Sequence, residues 1–75
     1  MKELVEYIAK AIVSAPNEVK VTEEKDENRV IIKLEVALDD KGRIIGREGR
    51  VAEAIRTLLR VAATKAGVRV RLEII

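Results

Sequence analysis

Between a strand-like run and a long helix-like run lies Ile44-Ile45-Gly46-Arg47-Glu48-Gly49-Arg50. Two glycines three apart, entered by apolar residues and flanked by arginines, suit a loop that must let another backbone come close. Glycine carries no Cβ to obstruct a phosphate, and it accepts φ > 0. A helix starting directly afterwards aims free N–H groups and the positive end of its dipole at the same spot. Arg43, Arg47 and Arg50 add full positive charge there. The chemistry that fits this spacing is binding of a phosphate backbone. A plain tight turn between two helices would use the same glycines.

Other phosphate loops fit less well. A Walker loop ends Gly-Lys-Ser/Thr, whereas Gly49 is followed by Arg50-Val51. A dinucleotide fingerprint needs Gly-x-Gly-x-x-Gly after the first strand, and Gly42 sits four residues before Gly46, which breaks the pattern. Catalytic chemistry has little to draw on. The chain has no His and no Cys, and Ser14 is its single serine, so nucleophile–histidine catalysis is impossible within it. Asp39-Asp40 is an acidic pair that offers itself to Mg²⁺. Adjacent Asp residues before a helix more often serve as caps, and no other acid cluster converges on them. The expectation is a binding protein, not an enzyme, with no metal and no cofactor.

The elements that would hold the loop are readable from periodicity. Leu4, Ile8, Ala11, Ile12 and Ala15 recur at helical spacing, and Pro16 ends that helix near Ala15. Val19 and Val21 alternate with Lys20 and Thr22 as a short strand, followed by a polar turn over Glu24–Asn28. Val30, Ile32, Leu34, Val36 and Leu38 alternate without a break, the clearest strand of the chain. Asp39-Asp40 is placed to cap a short helical turn from Lys41 to Ile45. The next helix spans Arg50 to Ala66, with Val51, Ile55, Leu58, Leu59 and Ala62 as its core stripe and Gly67 as its C-cap. Val68, Val70, Leu72 and Ile74 make the last strand.

The order is therefore α-β-β-α-α-β. Joining the last two strands through helices favours a parallel pair with a right-handed crossover, and the first strand forms an antiparallel hairpin beside them. Helices on one face of a three-stranded mixed sheet would bury the apolar stripes. The other face would carry Lys20, Thr22, Lys33, Glu35, Arg69 and Arg71.

Seventy-five residues bound this to one small domain, and 48% apolar residues argue against disorder. Net charge is +2 but unevenly spread. Residues 1–40 hold six Lys/Arg against ten Asp/Glu, a net −4, and residues 41–75 hold nine against three, a net +6. The basic half points to a polyanionic partner. The first residues alternate charged and apolar, unlike a signal peptide, and no apolar run approaches membrane-spanning length, so a soluble cytoplasmic protein is expected. Tyr7 is the single aromatic, so base stacking contributes little and affinity should be modest and salt-sensitive. Ala54 and Val61 flank one side of the long helix's stripe and Ala52 and Ala63 the other, a broad apolar arc that suits either a buried helix or a dimer face.

Gly42-Arg43-Ile44-Ile45-Gly46-Arg47-Glu48-Gly49-Arg50 resembles the Ile-Gly-x-x-Gly core of K-homology (KH) domains. The element order is similar to the type II form of that fold, and the likeness covers residues 1–75 as a single KH domain. The run Gly49–Thr57 looks like the small bacterial single-domain members. The resemblance implies an α+β, two-layer type II KH fold that clamps about four nucleotides of single-stranded RNA. Gly46 and Gly49 would admit the sugar–phosphate backbone, Arg47 would supply charge, and Arg43 and Arg50 would extend the anion site. Glu48 would face solvent or pair with a nearby arginine. Ile45 would line the groove, with Ile44, Val51 and Ile55 as further candidates that the core competes for. The resemblance also implies an RNA chaperone or post-transcriptional regulator, a homodimer, and a larger KH-containing protein partner. A reading from another class is a protein–protein adaptor whose glycine loop is vestigial.

Overall fold

The computed structural model describes Met1–Ile75. Helix α1 covers Lys2–Ile12, strands β1 and β2 cover Lys20–Asp26 and Arg29–Glu35, helices α2 and α3 cover Lys41–Ile45 and Arg50–Ala66, and strand β3 covers Arg69–Ile74. Short 3₁₀ turns occupy Pro16–Glu18, Leu38–Asp40 and Arg47–Gly49. No helix is long and apolar enough to cross a membrane.

Strand β2 is the centre of a three-stranded sheet, antiparallel to β1 and parallel to β3. Its Val30, Ile32 and Leu34 point to the helices and are buried with Val21, Val36 and Leu72. Val5, Ala9, Ile44, Ile55 and Leu59 close the core from the helical side. Fully burying a side chain of this size stabilises by about 1.5–3 kcal/mol, so truncating Ile32 or Leu34 would remove a large share of a small domain's stability. The helices thus form one layer and the sheet the other, as the alternation requires.

Three boundaries differ from the periodicity reading, each for a physical reason. Helix α1 stops at Ile12, earlier than Ala15, because the backbone N–H groups of Ser14 and Ala15 donate to the Asp40 carboxylate instead of continuing the helix. Strand β1 runs on to Asp26, through residues read as a polar turn. The reversal takes only Glu27 and Asn28, with Glu27 in the left-handed region at φ 52°, and Asp26 still pairs with Arg29. Charged residues sit there because an edge strand exposes them at no loss. Strand β2 ends at Glu35, so Leu38 leaves the sheet and is exposed. Helix α3 has the expected bounds and its Gly67 cap, in αL geometry with its N–H donated to the Thr64 carbonyl at 3.2 Å. Its buried face, however, is Ala52, Ile55, Leu59 and Ala63, and Leu58 stands outside it.

Candidate nucleic-acid interface

The loop Gly46–Gly49 joins α2 to α3, and three of its four residues have positive φ: Gly46 at 76°, Glu48 at 58° and Gly49 at 75°. Its two glycines are needed for different reasons. A Cβ on Gly46 would collide with the Val51 side chain and come within 2.8 Å of the Val51 nitrogen. A Cβ on Gly49 would meet nothing within 4 Å. Gly46 therefore lets the chain fold back on α3, while the bare surface of Gly49 faces open space. The turn is closed by the Gly49 N–H donating to the Gly46 carbonyl at 3.1 Å. Helix α3 then begins with no side-chain cap on its first turn, which leaves the positive end of a long helix beside the loop.

The arginines are not equivalent. Arg50 pairs with Glu48 at 3.5 Å, both strongly exposed. Arg43 lies 3.6 Å from the buried Asp40. Arg47 has no carboxylate partner, so it is the loop's uncommitted cation. Glu48 faces solvent beside Arg50, and an exposed pair of this kind is worth roughly 0–1 kcal/mol, so an incoming phosphate can displace it.

Of the apolar candidates, Ile44 and Ile55 are core residues. Ile45 is 43% exposed and Val51 is half-buried, so these two present apolar surface next to the loop.

Asp40 positions the site without having been read as doing so. Its carboxylate does not cap α2. It is 1% exposed and turns back to α1, where it accepts from the Ser14 N–H at 3.0 Å, the Ser14 hydroxyl at 2.8 Å and the Ala15 N–H at 3.1 Å. The Ser14 amide, then its hydroxyl, then the Ala15 amide and Arg43 hold this carboxyl below the usual carboxylate range. The bonds tie the end of α1 to the start of the helix that carries the loop. No local pattern in the sequence links Asp40 to Ser14, which lies 26 residues away.

An α-β-β-α-α-β sheet-and-helix sandwich whose second and third helices are joined by Gly-x-x-Gly is a KH domain of the type II form. A family model described as "KhpA/KhpB, KH domain" matches residues 2–74, and the chain belongs to that family. It is 49% identical over 75 residues to the RNA-binding protein KhpA of Clostridium acetobutylicum, covering both chains completely. It is 51% identical over 75 residues to that of Caldanaerobacter subterraneus, again over both whole chains. Among solved structures it resembles Aquifex aeolicus Era Y63A bound to GDP·AlF4⁻, with a TM-score of 0.61 at 22% identity. It also resembles Era in complex with MgGDPNP and nucleotides 1506–1542 of 16S ribosomal RNA, with a TM-score of 0.57 at 24% identity. The chain is 97% covered in both matches but spans 28% of those chains, and the likeness is one of fold.

Proposed function

We propose that this protein binds single-stranded RNA through the loop Gly46–Gly49, by contacts to the phosphate backbone. The observation that carries the reading is the open face of Gly49 next to the unpaired Arg47 at the start of α3. Gly49 and Arg47 take the backbone on a turn that Gly46 makes possible, Arg50 joins them when Glu48 is displaced, and Ile45 offers apolar contact to a base or ribose. Arg43 contributes less charge than its position promises, because Asp40 shares it. Full-length relatives named RNA-binding protein KhpA support the reading. The role that follows is an RNA chaperone or post-transcriptional regulator in the cytoplasm, acting by binding and not by catalysis.

The exposed strip Ala54, Leu58 and Val61 on α3 supports self-association, or docking of a larger KH-containing protein, alongside RNA binding. It also keeps in view the adaptor reading with an idle loop. The test is fluorescence anisotropy of a labelled unstructured RNA oligomer against the wild type and the double variant Arg47→Asp with Glu48→Asp, both checked for folding. Binding that weakens with salt and is mostly lost in the variant is expected. Equal binding by both proteins, or none by either, would remove the loop as the RNA site and leave the adaptor.

A further inference from the structure

The sheet face turned away from the helices breaks a rule of its own design. Elsewhere on that face, like charges are kept apart: Lys20 lies opposite Glu35, Thr22 opposite Lys33, and Lys33 reaches Glu24 at 3.3 Å. At the start of β3, Arg69 lies directly beside Arg29, and Arg71 follows two residues on, beside Ile31. Like charges directly opposite each other in a sheet are destabilising. No carboxylate pairs with any of these three arginines, although Asp26 lies opposite Arg29 in register. Glu24 lies on the β1 side, Asp26 and Glu27 line one hollow with Arg29 and Arg69 without pairing with them, and the arginines gather on β2 and β3. Ile31 is half-buried among them and no helix covers it. A hollow lined by Arg60 and Thr64 of α3 and by Arg69 carries the positive surface around the β3 edge.

We propose that Arg29, Arg69 and Arg71, set around Ile31, form a second RNA-binding surface, separate from the glycine loop, that takes the phosphate backbone of a strand already held at the loop. Guanidinium groups donate to phosphate oxygens in forked geometry and stack on unpaired bases, and Ile31 gives an apolar floor for a base or ribose. This goes beyond the loop reading, because the two places lie at opposite ends of α3. Seventeen helical residues span about 25 Å, and the arginines are on the far layer. A strand of about four nucleotides at the loop does not reach them. The surface therefore engages another segment of a longer RNA held at the loop, and one domain holds two segments at once.

The experiment compares two oligouridine probes, one of about 6 and one of about 30 nucleotides, by anisotropy across a salt series. The proteins are the full chain, Arg69→Glu with Arg71→Glu, Arg69→Lys with Arg71→Lys, and the loop variant. The Glu variant should hold the short probe like wild type but bind the long probe roughly tenfold more weakly, with a salt slope shallower by about 1.4. The Lys variant keeps the charges but not the forks, so its long-probe affinity should fall between that of wild type and that of the Glu variant. Unchanged long-probe affinity and slope in the Glu variant would overturn the proposal. So would loss of the short probe, which would place the arginines in the loop site. Avidity from two loops of a dimer survives the Glu substitutions and is told apart in that way. Failure of the loop reading itself has a different signature: the loop variant would keep the short probe.

Discussion

Val51 occupies the space that a side chain at position 46 would need, with its backbone nitrogen 2.8 Å from where a Cβ would stand. The half-buried Val51 packs against the core, so it has little freedom to move aside. Gly46 also has φ 76° and ψ 173°, a conformation essentially restricted to glycine.

Gly46→Ala should therefore cost about 3 kcal/mol or more, from strain and overpacking together. Gly49→Ala has only the left-handed backbone to oppose it, about 1–2 kcal/mol. Chemical denaturation of the two variants should rank them in that order. RNA titration of the folded Gly49→Ala protein should still show weakened binding, since its new methyl group stands where the proposed RNA site would admit the backbone. Equal stability losses would mean that Val51 yields.

Asp40 contributes stability that depends on pH with a definite sign. Its folded pKa is lowered, so the contribution is complete above the ordinary carboxylate value near 3.9 and is lost as pH falls through the lower folded value. Asp40→Ala should lower Tm at neutral pH, and the gap from wild type should narrow as the medium is acidified below about pH 4. A gap that stays constant down to pH 2 would deny the carboxylate this role.

Glu48→Asn should strengthen RNA binding. Asparagine tolerates the left-handed conformation at position 48 better than glutamate does, and the change releases Arg50 from its 3.5 Å partner. One additional phosphate contact should steepen the salt slope by about 0.7 for a single strand. An unchanged slope would show that Arg50 stays out of the interface.

If the exposed strip of α3 carries the proposed self-association, Leu58→Glu should abolish it with little effect on Tm, because Leu58 is 50% exposed and outside the core. Sedimentation velocity of both proteins reads this directly. A dimer that persists in the variant would place the contact elsewhere.

The fold was largely legible where side chains repeat with one period and bury on one side. The run Val30–Leu34 announces a central strand, and Gly67 ends α3 where its φ of 71° is required. The extension of β1 was not legible: Glu23-Glu24-Lys25-Asp26 has no apolar alternation, and its strand state comes from pairing with β2. Leu58 and Leu59 are adjacent and equally apolar, and only the docking angle of α3 turns Leu59 inward. The glycine pair stood out by spacing. The partner of Asp40 did not, since it lies 26 residues away and no local pattern links the two.

Ile44 and Ile45 are neighbours of identical chemistry, yet one is fully buried and the other 43% exposed. Successive residues of a helix point about 100° apart, so rolling α2 by that much would exchange them at almost no hydrophobic cost. Side-chain preference does not choose between the two seatings. The choice is made by backbone fixings at either end, Asp40 held by Ser14 upstream and Gly46 folded against Val51 downstream. The orientation of the loop is thus remembered by its hinges rather than by the greasy residues between them. Loosening either hinge would make α2 degenerate, and the loop would lose its aim before the domain lost its fold.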